Sequence, residues 1–372
     1  MSGATSVLHI DLQAYRHNIR TLQSLIPSNT GIIAVIKSNG YGLGAVELAK
    51  RALEEGVSVF AVAHITEGQE LREQFPDVPI LILVQPVAED LPTAIKENLT
   101  LTLSDLPFAE KLGDMARKLN KVVPVHCEID TGMGRQGFSV EDAPKSLLKM
   151  TRISNIDIQA VCTHFPSADA PNDPFTASQI KTFNALIEDM SKDGIPFEYV
   201  HAANSAAVLL QEGCTFDFIR PGIITYGVWP NNNPDVTVHI KPVVEWKTKV
   251  VLVRDLPGGV SISYGRTFKT NRPTKIAVLP IGYADGYPRI LSNNSDVIIR
   301  DTRCPIRGTI TMNETMVDIT HIPEISVGET VTLFGTDAHE TISIEELAQK
   351  AHTIGYEILT GISEHIPREY RS

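Results

Sequence analysis

Apolar and polar positions alternate in a regular way over the first two-thirds of the chain. Short, nearly continuous apolar runs recur at 32–36, 57–62, 79–84, 99–103, 122–129, 157–163, 198–202 and 215–220. Between them, stretches such as 45–55, 104–119, 174–192 and 205–211 place apolar residues three or four apart, the spacing of one helix face. Pro174 stands where the first helical turn tolerates a proline. Strands without polar alternation are buried on both faces, and strands joined by helices run parallel. The runs number eight, and eight such units in roughly 200 to 250 residues make a closed (β/α)₈ TIM barrel. An open doubly wound sheet is the alternative, and the count favours closure.

After Tyr226 the pattern changes. Residues 229–235, Trp-Pro-Asn-Asn-Asn-Pro-Asp, read as a linker. Beyond them come β-rich segments at 243–253, 260–268, 275–281, 297–300, 316–319 and 330–334, with one helical pattern at 343–352. This predicts an N-terminal barrel over 9–234 and a C-terminal, mostly antiparallel β-domain over 235–372. A chain of 372 residues exceeds what one hydrophobic core supports, which agrees with two domains.

Composition narrows the class. The chain is 42% apolar and 21% charged, ordinary for a folded protein. A net charge of −11 argues against nucleic acid as a partner, because a phosphate backbone needs clustered Lys and Arg. No apolar stretch approaches the length of a membrane span, and the first residues lack the basic flank and apolar core of a signal peptide. Cys127, Cys162, Cys214 and Cys304 lie far apart without a CxxC, so neither a metal cage nor a disulfide framework is expected. A reducing cytoplasm is the expected setting.

The candidate chemistry begins at Lys37, at the end of the first strand, where barrel enzymes place catalytic groups. Taken alone it is as readily a solvated charge. The following Ser-Asn-Gly-Tyr-Gly-Leu-Gly shifts the balance, since Gly40, Gly42 and Gly44 let the backbone approach a ligand closely and Tyr41 adds a hydroxyl. The glycines form neither a Walker loop nor a full dinucleotide fingerprint. Barrels commonly hold phosphate on the loops after strands seven and eight. Here those loops carry His201-Ala-Ala-Asn204-Ser205 and Arg220-Pro221-Gly222-Ile223. Ser205 opens a helix and reads as its cap, and the two loops together suggest a phosphate cup. Asp130-Thr131-Gly132 suggests an aspartic protease, but such enzymes need two paired carboxylates and no second motif occurs.

Several segments, in order along essentially the whole chain, resemble the alanine racemase family. They are Ala-Val-Ile-Lys-Ser-Asn-Gly-Tyr-Gly (34–42), Asp-Thr-Gly-Met-Gly-Arg (130–135), Thr-His-Phe (163–165), His-Ala-Ala-Asn-Ser-Ala-Ala (201–207) and Arg-Pro-Gly-Ile (220–223). Ser-Tyr-Gly-Arg-Thr (263–267), Pro-Ile-Gly-Tyr-Ala-Asp-Gly (280–286) and Tyr356 complete the set. The resemblance implies a cytoplasmic homodimer that uses pyridoxal 5′-phosphate (PLP) to interconvert L- and D-alanine for cell-wall synthesis. It implies that residues 1–8 join the β-domain. It assigns the two catalytic bases to Lys37, for the D-enantiomer, and Tyr264 of the other subunit, for the L-enantiomer. It gives the cofactor phosphate to Tyr41, Ser205, Gly222, Ile223 and Tyr356. Arg220 would face the pyridine nitrogen, with His164 and Arg220 supplying positive charge that favours the Tyr264 phenolate. Arg135 would reach the cofactor's phenolic oxygen or the substrate carboxylate, and Met312 of the other subunit would join the substrate site, with His201 in support.

The departures from that pattern are specific. Glu128 stands where many relatives carry a carbamylated lysine, and is expected to pair with Arg135 unmodified. Leu43 replaces a histidine, Thr309 an arginine, Asn313 an aspartate and His365 a more basic residue. Thr309, Asn313 and His365 fall in the half expected to line the substrate entrance, so a serine or broad-specificity racemase is the alternative. A decarboxylase for basic amino acids and a non-catalytic PLP carrier are weaker, the carrier because it needs neither a β-domain nor Tyr264.

Overall fold

A computed structural model of the chain describes residues 5–170, 172–230 and 238–372. Eight parallel strands form the barrel: Gly31–Val35, Val59–Val62, Ile80–Ile82, Thr100–Leu103, Val123–Asp130, Ile156–Cys162, Tyr199–His201 and Phe218–Ile219. Each pairs with the next, and the eighth returns to the first through Phe218 opposite Gly31, so the sheet is closed. Their buried runs, such as Phe60–Val62 and Ile80–Ile82, are what two-sided burial demands. A short strand, Phe138–Ser139, adds to the outer end of the fifth.

Side-chain caps start several of the barrel helices. Asp11 accepts from the Ala14 N–H at 2.9 Å ahead of Leu12–Leu25. Asp105 accepts from the Phe108 N–H at 2.8 Å ahead of Leu106–Lys118. Asp173 caps Pro174–Lys192, whose proline lies in the first turn.

The β-domain contains one large sheet and two small ones. In the large sheet Thr302–Pro305, Asp296–Ile299, Thr330–Asp337, Val244–Lys249, Val7–Asp11 and Arg368–Arg371 lie side by side, with Glu340–Ile342 attached to Thr330–Asp337. Its pairings are antiparallel except the last, where Leu8 opposes Arg368 and Asp11 opposes Arg371 in parallel. Val7–Asp11 therefore belongs to this sheet and leads through the Asp11 cap into the first barrel helix.

Three differences from the sequence reading have local causes. The run 243–253 divides into Val244–Lys249 and Leu252–Leu256, which serve different sheets. The segment 260–268 is interrupted by a tight turn at Tyr264–Arg266. A second helix, Gly355–Thr360, follows the expected one; six residues are too few to show a period. Of the expected linker, residues 231–235 lie outside the described residues; Trp229 does not, and its N–H donates to Glu345 at 2.9 Å.

Candidate active site

The chain leaves the first barrel strand in an unusual conformation. Ser38, Asn39, Gly40, Tyr41 and Gly42 all lie in the left-handed region, with φ of 54°, 53°, 62°, 56° and 82°. For each L-residue this costs roughly 1–2 kcal/mol, so the turn persists only because its surroundings hold it. The Gly40, Gly42 and Gly44 N–H groups donate to the carbonyls of Ile36, Ser38 and Asn39, each at 2.8 Å. The Asn39 side chain accepts from the Ala45 N–H at 2.9 Å, and Glu67 accepts from the Ser38 N–H. Lys37 begins this turn and is largely withdrawn from water. Burial lowers the pKa of its amine, Arg135 lowers it further, and Glu67 opposes the shift. A lowered pKa leaves more of the amine unprotonated near neutral pH, the form that can act as nucleophile or base.

Tyr41, at the other end of the turn, reaches the loop after the eighth strand. A Cβ on Gly222 would lie 2.3 Å from the Tyr41 hydroxyl, so glycine is what permits the approach. The Gly222 N–H donates to Ser205 Oγ at 2.9 Å and the Ile224 N–H at 3.5 Å. Ser205 is not the helix cap. Asn204 is, accepting from the Ala207 N–H at 3.0 Å, which leaves the Ser205 hydroxyl to join the two loops. Ile223 is fully buried beside them. The Tyr41 ring lies 4.7 Å from that of Tyr226 and 6.1 Å from that of Tyr356. Burial raises the pKa of Tyr41, and burial with the nearby Asp169 pushes Tyr356 up to about 12. Both phenols therefore stay protonated, as donors to an anion must.

Arg220 occupies the barrel interior. Its guanidinium donates to His201 Nδ1, to the Thr163 carbonyl at 2.7 Å, to the Ala202 carbonyl at 3.1 Å and to His164 Nδ1 at 3.4 Å. An arginine cannot accept, so His201 Nδ1 is the acceptor and its Nε2 carries the proton. That proton is donated to His126 Nδ1 at 2.9 Å. Burial first and Arg220 second hold His126 and His164 down to about 3, and lower His201 well below its ordinary value. The three imidazoles are thus neutral at pH 7, and only Arg220 brings positive charge. This corrects the expectation that His164 contributes charge.

Glu128 is buried near the same end. Its closest partner is Gln136 Nε2 at 2.6 Å; Arg135 Nη2 is 3.9 Å from the other carboxylate oxygen, and its side chain is 52% exposed. Gln136 also donates to the Leu83 carbonyl at 2.8 Å, so it fixes the carboxylate to the barrel wall. Burial raises the Glu128 pKa, against the Gln136 bond.

Tyr264 and Met312 stand elsewhere, on the β-domain. They are 74% and 55% exposed, and among the described residues neither makes a hydrogen bond or ring contact with the barrel. Positive φ at Ser263 (61°), Gly265 (71°) and Arg266 (50°) pushes Tyr264 outward from a tight turn. Thr309 holds that turn: its hydroxyl donates to the Tyr264 carbonyl at 2.9 Å, and its own carbonyl accepts from Ser263 Oγ at 2.5 Å. Met312 is positioned by its carbonyl, which accepts from the Ala284 N–H at 3.0 Å.

Residues 10–230 match the family described as alanine racemase, N-terminal domain, and residues 243–370 match alanine racemase, C-terminal domain. The chain belongs to the alanine racemase family. It is 40% identical over 363 residues to an alanine racemase of Halothermothrix orenii, covering 98% of this chain and 96% of that one. Among solved structures, an alanine racemase of Clostridium difficile 630 superposes with a TM-score of 0.94 at 33% identity, covering 100% of this chain and 97% of the other. One from Bartonella henselae with covalently bound pyridoxal phosphate gives 0.90 at 30% identity, covering 99% and 100%.

Within this alanine racemase framework, the departures fall at identifiable contacts. Thr309 is buried and serves the Tyr264 turn, while Asn313 is exposed beside Met312. His365 Nε2 lies 2.8 Å from Asp285 and its Nδ1 2.7 Å from Ser363. Asp285 in turn accepts from the Gly282 N–H at 2.8 Å, in the loop that carries the Met312 contact. His126 was not expected. A histidine interrupting the apolar first half of the strand Val123–Asp130 is the available signal, and it does not reveal the partner 75 residues away.

Proposed function

We propose that the chain is a PLP-dependent alanine racemase, interconverting L- and D-alanine with Lys37 and Tyr264 as its two bases. The observation that carries this is the desolvated Lys37 amine, set four residues from a tyrosine hydroxyl that closes on Gly222. The donor set fits the cofactor: protonated hydroxyls of Tyr41 and Tyr356, the Ser205 hydroxyl, and a loop that a Cβ at Gly222 would fill suit a phosphate. Ile223, buried in that loop, lines the same cup. When bound, PLP supplies the electron sink that stabilises the charge left by the departing α-proton.

The remaining work falls to the side chains. Lys37 takes or returns the proton on one face of the amino acid. Tyr264 of a second copy does so on the other; its exposure on the β-domain and the similar exposure of Met312 support a homodimer with shared sites. Arg220, which carries a permanent positive charge, would face the ring nitrogen of bound PLP and discourage its protonation, which would limit side reactions. His201, locked as the Nε2–H tautomer, and neutral His164 hold that arginine in place. Arg135 would reach the substrate carboxylate or the cofactor's phenolic oxygen, Met312 of the second copy would line the substrate site, and Glu128 supports Arg135 from 3.9 Å. Four buried free cysteines suit a cytoplasmic setting, and no helix of the described residues is long and apolar enough to cross a membrane.

The test is to follow optical rotation and carbon dioxide release from pure L-alanine with added PLP. Loss of rotation without gas is expected, and gas release would point to a decarboxylase instead. The same assay across the common amino acids ranks alanine against serine, which matters because Thr309 and Asn313 depart from the family pattern.

A further inference from the structure

The left-handed turn between Lys37 and Tyr41 is gripped from outside the barrel. Arg368 Nε donates to the Gly42 carbonyl at 3.0 Å, and the Tyr370 hydroxyl donates to the Leu43 carbonyl at 3.0 Å. These two side chains sit two residues apart, hence on one face, of the strand Arg368–Arg371. Leu43 is fully buried, so its carbonyl cannot turn to water for a substitute. The fit leaves no slack: a Cβ on Gly44 would lie 1.8 Å from the Tyr370 hydroxyl, and one on Gly42 would lie 3.1 Å from the Leu359 carbonyl.

Arg368 also holds the segment that follows the helix of the other tyrosine of the cup, Tyr356. Its second nitrogen donates to the Ser363 carbonyl at 2.8 Å and the Ile366 carbonyl at 2.5 Å, and its third to Ile362 at 3.3 Å. Those carbonyls belong to the segment that follows Gly355–Thr360, the helix that carries Tyr356 and packs on the lysine turn. One guanidinium thus joins the elements that bear Tyr41 and Tyr356. A turn of strained residues has other conformations close in energy, and the carbonyls on which this grip acts directly follow Tyr41.

We propose that Arg368 and Tyr370 are positioning residues for the cofactor site, setting the geometry of Lys37 and Tyr41 by holding the Gly42 and Leu43 carbonyls. The proposal rests on the reading of Lys37 and Tyr41 as cofactor ligands. It differs from a mere stitch between domains in one respect. A stitch affects overall stability, whereas this grip acts on the lysine turn before global unfolding does.

The experiment uses the full chain with Tyr370→Phe and Arg368→Lys. Cofactor-free protein is titrated with PLP, and amide hydrogen exchange is followed over residues 38–44 and, as a control, over the barrel strands. Losing one hydroxyl should weaken PLP binding about two- to tenfold, and losing the charged fork about ten- to a hundredfold. Exchange over 38–44 should quicken in both variants while the strands keep their protection. Unchanged affinity and exchange in Tyr370→Phe overturn the proposal, as does exchange that rises equally everywhere. Tyr370→Phe decides alone if Arg368→Lys does not fold, since it removes a single atom from a half-exposed side chain. If the parent protein binds no PLP, the reading of Lys37 fails, and the exchange over 38–44 still judges the grip.

Discussion

Two strained turns carry the two proposed bases, and their settings are opposite. The Lys37 turn has five successive positive φ values and is enclosed by the barrel, Glu67, Arg368 and Tyr370. The Tyr264 turn has three positive φ values around a side chain that is 74% exposed, and Thr309 is its main anchor. Strain persists where neighbours over-determine it. The first turn therefore makes a site ready to receive a ligand, and the second makes a probe shaped to complete someone else's site. On the proposed function, this difference separates binding of the cofactor, at the enclosed turn, from delivery of the second base, at the exposed one.

That contrast can be broken most severely at Lys37. Lys37→Ala should abolish the visible absorption of the lysine-bound cofactor and reduce racemisation about 10⁴-fold or more, the upper range for one positioned acid–base group. Retained absorption would show that another group anchors PLP. Tyr264→Phe should cost about 10²- to 10⁴-fold in racemisation yet leave the cofactor bound. Proton NMR in deuterated water should then show D-alanine exchanging its α-proton while L-alanine does not. Mixing the two variants sharpens the point. A hybrid dimer contains one site with both bases, so about a quarter of the parent activity should return. No recovery on mixing, with subunit exchange verified, would place both bases in one copy.

Acid should act on the enclosed region first. His126, His164 and His201 are held neutral by burial and by Arg220, with the first two at about 3. Their pKa values are depressed in the folded state, so below about 6.5 the unfolded chain takes up protons that the folded one refuses. Stability is complete above that pH and falls as pH drops towards 3, by about 1.4 kcal/mol per pH unit for each histidine. Denaturant unfolding of the cofactor-free protein between pH 7 and 4 measures the slope, and His126→Gln should reduce it by about one proton. An unaltered slope would mean that His126 is protonated in the fold.

Thr309 offers the gentlest test, on the exposed turn. Thr309→Val removes the hydroxyl that holds the Tyr264 carbonyl at 2.9 Å and keeps the shape. The expected loss is about two- to tenfold in kcat, with Thr309→Ser restoring most of it and cofactor affinity unchanged. A fall in cofactor affinity would erase the distinction between the two turns.

The barrel was legible because two-sided burial writes each strand as an uninterrupted apolar run. Arg368–Arg371 was not, since a strand spelled Arg-Glu-Tyr-Arg has no apolar alternation and is defined by its partner Val7–Asp11. The glycines at 40, 42 and 44 signalled close approach at the lysine, and Asn39 is of a type that tolerates the left-handed region, but Ser38 and Tyr41 share that conformation without any sign of it in residue type. The neutrality of His164 was equally hidden, because it depends on how deeply the ring is buried beside Arg220. The resemblance supplied the roles of Arg220 and Tyr264; residue spacing alone would have left both as ordinary surface or core positions.

The grip of Arg368 on Gly42 spans 326 residues of chain. At synthesis rates of about 5–20 residues per second, roughly tens of seconds separate the emergence of the two groups. During that interval the nascent barrel can close while its lysine turn still lacks the side chains that lock it. Maturation of the cofactor mouth therefore waits for the strand Arg368–Arg371, however early the barrel strands themselves are made.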